Sequence, residues 1–164
     1  MMQRTLLLLL FLVSLMLTQG CASPAKVPTL EDDSINPVTL SFLKNRTLQL
    51  SVRNERKINQ DEGNTPETEA AVFKAVSAAC VKGGLQVNTT SKTHLNVQIL
   101  DSDGPSQDGV CVKVRAALSV PGIQRTSEAF ACQQLKHITG IKLGGNVSEA
   151  YKAALNFAFQ QLEK

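Results

Sequence analysis

After residue 37, apolar residues follow two different periods in turn. Alternation at every second position runs through Val38, Leu40 and Phe42, and again, beyond "LKNR", through Leu48, Leu50 and Val52, which predicts one or two strands. A helical period then takes over in "NTPETEAAVFKAVSAACVKGG". Thr65 stands as N-cap, Pro66 at the first helical position, Glu67 and Glu69 in the first turn, and Gly83 with Gly84 as the stop. Val72, Phe73, Val76, Ala79 and Cys80 share one face of that helix, so Cys80 is expected in the core as a structural thiol. Leu85 to Val87 and "HLNVQIL", with Leu95, Val97 and Ile99 on one side, predict two further strands.

The stretch "GVCVKVRAALSVPGIQRTSEAFACQQ" reads as a long hairpin turning at Pro121-Gly122. That centre sets Arg115 opposite Glu128 and Cys111 opposite Cys132. If Val120 and Ile123 close the turn as a hydrogen-bonded pair, the cysteines meet at a non-hydrogen-bonded position. The Cα atoms there lie about 4.5 Å apart, within the roughly 4.4 to 6.8 Å of a disulfide. The same register collects Val110, Val112, Val114, Ala116 and Leu118 into a core row. A bulge at the turn would shift the pairing by one residue. The closing stretch "GGNVSEAYKAALNFAFQQLEK" predicts a second helix opened by a capping box of Asn146 and Glu149. Tyr151, Ala154, Leu155, Ala158 and Leu162 form its core face, with Phe157 and Phe159 flanking and partly exposed. The fold class expected is α+β: a single sheet of about four to five mostly antiparallel strands with two helices packed on one face.

Ahead of this domain the pattern is different. Arg4, an apolar run from Leu6 to Leu17 broken by Ser14, and small or polar residues up to Gly20 have the three parts of an export signal. The run is shorter than the roughly 20 residues a membrane span requires. The Gly20-Cys21 pair directly behind it resembles the lipobox of bacterial lipoproteins, with Leu17 one place further out than the family's usual leucine. In that family the cysteine is lipidated on sulfur, becomes the first residue and is acylated on nitrogen. A residue other than Asp after it, here Ala22, implies the outer membrane, with the protein anchored in the periplasmic leaflet. A plain secretory signal is the alternative, and it would leave Cys21 to pair in a disulfide. "ASPAKVPTLEDDSINP" has no apolar period and reads as a tether, about 50 Å long if extended. The expected organisation is a signal peptide over 1–20, a lipidated tether over 21–37 and a periplasmic domain over 38–164.

Without residues 1–20 the chain has 144 residues, enough for one domain, and 16 bases against 14 acids. A formal charge of +2, with the bases scattered, excludes the basic field that holds nucleic acid. Trp is absent and aromatics are few, which argues against a surface that stacks sugars or bases. His94 and His137 show no metal-pair or triad spacing, and "DSDGPSQDG" lacks the glutamate that closes an EF-hand loop. No catalytic residue, metal or cofactor is therefore expected.

The strand, helix, strands, hairpin, helix order behind a lipobox resembles small Gram-negative outer-membrane lipoproteins of the lipopolysaccharide-assembly lipoprotein type and the amino-terminal domain of TolB. "VRNER" ending the first strand, "GGLQV" after the helix and "THLNVQILD" are placed as in those families, over residues 47–164. The resemblance implies a non-catalytic role: plugging or escorting an outer-membrane machine, or activating a peptidoglycan synthase. No functional residue is carried over from it. The partner expected is another envelope protein. Its docking surface is placed on the outer hairpin face, at Lys113, Arg115, Thr126 and Phe130. A secreted two-disulfide inhibitor or effector, and a periplasmic hydrolase, are the competing classes.

Overall fold

The computed structural model describes residues 28–43, 45–56, 65–100, 109–134, 137–138, 141–142 and 147–164. The expected signal peptide and Cys21 lie outside the described residues, as do Asn146 and the acidic stretch through Asp108. The elements are β1 (Thr47–Asn54), α1 (Thr65–Lys82), β2 (Gln86–Val87), β3 (His94–Leu100), β4 (Gly109–Val120), β5 (Ile123–Gln134), β6 (His137–Ile138), β7 (Ile141–Lys142) and α2 (Val147–Glu163). Five strands form one sheet in the order β2-β1-β3-β4-β5, and β6 pairs with β7 separately. The fold is α+β, with α1 packed against β1 and β2, and α2 against β4 and β5.

The sheet is mixed rather than mostly antiparallel. β1 pairs in parallel with both β2 and β3, while β3-β4 and β4-β5 are antiparallel. The reason is α1: a helix that returns the chain to the starting end of β1 leaves the next strand running in the same direction. Residues after β2 then pass beneath the start of β1, where Asn88 N donates to Leu48 O and Gln49 N to Thr93 O at 2.7 Å each, and β3 enters on β1's other side.

The hairpin register is the expected one at all 12 positions, from Val120↔Ile123 to Gly109↔Gln134. Gly122 has φ 84°, the left-handed value that the second central residue of a Pro-Gly type II turn requires. Val112, Val114, Ala116 and Leu118 are buried on the inner face with Leu95, Val97 and Ile99 of β3. Tyr151, Ala154, Leu155, Ala158 and Leu162 face them from α2. Two aromatic placements differ from expectation: Phe73 on α1 is exposed, and Phe159 is buried at the edge of the α2 stripe.

The largest departure concerns residues 28–43. The predicted strand through Val38, Leu40 and Phe42 is absent, and the tether expected to run through residue 37 is packed from Pro28 onward. This segment is a strap. Thr29 N donates to Ser148 Oγ at 2.9 Å near the start of α2, and Asn36 N to Asn156 Oδ1 at 2.8 Å midway. Thr39 Oγ1 donates to Glu163 at its end. On the other side Val38 N donates to Ala79 O of α1 at 3.0 Å. A Cβ at Gly83 would come within 1.9 Å of Val38 O, so only glycine lets strap and helix meet there. Leu30, Ile35, Val38, Leu40 and Leu43 sink between the helices into the same core. Their irregular spacing is why alternation misled: a strap with no sheet partner buries side chains wherever the groove admits them.

Ile35 separates the two descriptions of this segment experimentally. It is 2% exposed, so Ile35→Ala is expected to lower unfolding stability by about 2–4 kcal/mol in guanidinium titrations. A tether side chain would register nothing.

Candidate functional site

With both helices and the strap on the inner side, the alternate residues of β1, β3, β4 and β5 form an open face. Parallel and antiparallel pairing together bring Arg53, Gln98, Arg115 and Glu128 into one row across four strands. Gln98 Nε2 donates to Glu55 Oε1 at 2.6 Å, Arg115 Nη1 donates to Gln98 Oε1 at 3.4 Å, and Arg115 Nε donates to Glu128 Oε1 at 2.7 Å. Lys113 Nζ lies 3.8 Å from the second Glu128 oxygen. The hydrogen bond from Arg115, then the charges of Arg115 and Lys113, hold the Glu128 carboxyl below its ordinary value. Its contribution is thus present at neutral pH and is lost as pH falls through the lowered value. A second row carries Ser51 Oγ against Asn96 Oδ1 at 3.2 Å, then Ala117 and Thr126.

A third row changes character. Leu100, Lys113 and Phe130 lie side by side, and the Cys111–Cys132 disulfide closes the next position. The cysteine Cα atoms are 4.0 Å apart, the narrow spacing of a non-hydrogen-bonded pair. For a sequence separation of 21, the chain-entropy model gives the disulfide on the order of 3 kcal/mol. Phe130 is 57% exposed. Of the residues expected to dock a partner, Lys113, Arg115, Thr126 and Phe130 do share this face. Sequence reasoning missed Glu55 and Gln98. The polar alternation of "HLNVQIL" marks Gln98 as outward, but its alignment with Arg115 depends on the β3-β4 register, which no single turn residue sets.

Other candidates resolve differently. His94 is exposed at the start of β3 opposite Ser119, and His137 lies in β6. Among the described residues no group of His, Cys, Asp and Glu is arranged to hold a metal, and no helix is long and apolar enough to cross a membrane. At the end of β1, Asn54 N donates to Glu69 Oε1 at 2.7 Å while Asn54 Oδ1 accepts from Arg56 Nε at 2.9 Å, which ties β1 to the first turns of α1. An open groove of about 340 Å³ runs along the seam of the strap and α2, lined by Pro37, Thr39, Asn156, Phe157, Gln160 and Glu163.

No protein-family model matches the sequence, and no curated protein is similar to it. Among the solved structures that resemble it distantly are these two. One is the protein XCC0632 from Xanthomonas campestris, of family DUF330, with 15% identity and TM-score 0.47 over 83% of this chain and 90% of that one. The other is an uncharacterized protein with 12% identity and TM-score 0.41 over 74% of this chain and 87% of that one. The reading of the site rests on its own geometry.

Cys80 is buried and free, and burial pushes its thiol up to about 12 from 9.0. The unfolded chain therefore gives up this proton first. The stability involved is complete below about pH 9 and is lost as pH rises toward 12. Iodoacetamide at pH 8 is expected to spare Cys80 until denaturant is added, and Cys80→Ala to lessen the alkaline fall in stability. Non-reducing peptide maps should join Cys111 to Cys132, and a peptide containing Cys80 in disulfide linkage would contradict this arrangement.

Proposed function

We propose that this protein is a lipid-anchored, non-catalytic periplasmic adaptor or assembly factor. Acyl chains on Cys21 hold it to the periplasmic leaflet of the outer membrane, and the open sheet face binds another envelope protein. That partner belongs to a lipopolysaccharide-assembly, secretion or peptidoglycan-synthesis machine. The lipobox-like Gly20-Cys21 junction supports the anchor, since two or more acyl chains suffice for stable membrane attachment.

The observation that carries the docking half is the third row. Phe130 stands exposed beside a disulfide, on a sheet whose neighbouring charges are already engaged with one another. A rigid aromatic in that setting loses little entropy on binding and has pre-ordered polar neighbours to fix register. Lys113, Arg115 and Thr126 supply those neighbours, with Glu128 holding the two cations in place.

Cys21→Ser is expected to release the protein from membranes or to block processing, as read by fractionation and detergent partitioning. Normal cleavage with unchanged fractionation would remove the anchor from the proposal. Phe130→Ala is expected to cost binding about 1–2 kcal/mol and to leave the melting temperature nearly unchanged. Photoreactive residues at 113 and 126 should capture the partner in membranes, whereas one at Lys74 on α1 should not. Capture from Lys74 alone would put the docking surface on the helical side.

A further inference from the structure

Open sheet edges pair with extended chains that reach them, and folds guard such edges with short strands, proline, lysine or bulges. The two edges of this sheet are treated differently. β2 has two residues. β5 runs for 12, pairs with β4 at every position without a bulge, and contains neither proline nor lysine. Its charges are occupied: Arg125 Nη1 donates to Leu162 O at 3.0 Å with its guanidinium 4.0 Å from the Phe42 ring centre, and Glu128 is held by Arg115.

The direction of the free backbone groups follows from the hairpin. The 4.0 Å Cα spacing makes Cys111–Cys132 a non-hydrogen-bonded pair, and alternation then gives Lys113–Phe130, Arg115–Glu128, Ala117–Thr126 and Ser119–Gln124 the same character. The N–H and C=O groups of Gln124, Thr126, Glu128, Phe130 and Cys132 consequently point away from β4. Among the described residues none of them has a backbone partner.

The complement of donors and acceptors alternating at strand spacing is another extended backbone. We infer that the β5 edge accepts an extended segment of the envelope partner as a sixth strand, an inference that rests on the adaptor reading above. The neighbours along β5 specify that segment. Its inner-side residues run beside Ser127, Ala129 and Ala131, all small, at the flank of α2, where Ser127 Oγ donates to Ala158 O at 2.7 Å. Apolar side chains at its alternate positions extend the buried face to which Ser127 and Ala129 already belong. Its outer residues run beside Thr126, Glu128 and Phe130 and are polar or aromatic. A second copy is the poorer occupant, because two β5 strands related by a two-fold axis set Ser127, Ala129 and Ala131 against equally small residues of their own kind.

The test uses the full anchored chain in membranes with the photoreactive residue at 113. Thr126→Pro removes an outward N–H that an edge strand can spare, and Thr126→Val retains it. Gln124→Pro takes its place if Thr126→Pro melts well below the parent. The partner adduct is expected to fall at least tenfold in the proline variant and to persist in the valine variant. The outward amides of β5 should gain at least tenfold protection from hydrogen exchange in the bound state. A full-yield adduct in both proline variants would mean the partner uses the face without the edge, which overturns this inference and leaves the adaptor reading standing. A purified dimer that Thr126→Pro dissolves would give the edge to a second copy and also overturn it. No adduct from 113 in the parent would remove both readings together.

Discussion

A sheet covered on one side by two helices that stand apart has a gap along its middle, and closing that gap is the constraint on which the other packing depends. α1 lies over β1 and β2, and α2 over β4 and β5. β3, with Leu95, Val97 and Ile99 wholly buried, sits between them. The strap supplies the missing cover with Leu30, Ile35, Val38, Leu40 and Leu43. Its attachment is backbone to backbone at Val38 and Ala79, made possible by the bare Cα of Gly83. A segment with no sheet partner is thereby held to both helices.

The second organising feature is the unbroken β4-β5 register. Because side chains alternate strictly, one closing pair at Val120 and Ile123 decides which twelve-residue halves face the core and which face outward. It puts the disulfide, the Lys113-Arg115-Glu128 group and Phe130 on the same side, away from Cys80. Two thiol environments in one small domain are kept apart by this geometry rather than by distance along the chain: the oxidised pair lies on the open face and the reduced cysteine under α1.

Much of this was legible because local rules and burial agreed. The hairpin turn, the two helices, the core stripe of α2 and the cysteine pairing all follow from residues close in sequence. Long-range choices were harder to read. The parallel placement of β1 beside β3 depends on how α1 returns the chain, and Gln98 joins the charged row only after that placement and the β3-β4 register are both known. The strap was misread in two ways, as tether up to residue 37 and as strand beyond it. Prolines and consecutive acids suggest solvent, yet Asp32 lies 3.3 Å from Lys74 and its carbonyl accepts from Lys82, so the acids border the helix while Leu30 and Ile35 turn inward.

The strap also bears on the mechanics of the proposed attachment. Counting from Cys21, seven residues reach Pro28, a span of about 25 Å at most when stretched. A domain of this length has a radius of gyration of about 14 Å. On the proposed anchoring, acyl chains on Cys21 would hold the domain by a link no longer than the domain is wide, a mount rather than a float. The mount lies by the first turn of α2, where Thr29 meets Ser148. On the proposed anchoring that end would stay turned to the bilayer, and a pull from the membrane would reach the strap before the sheet.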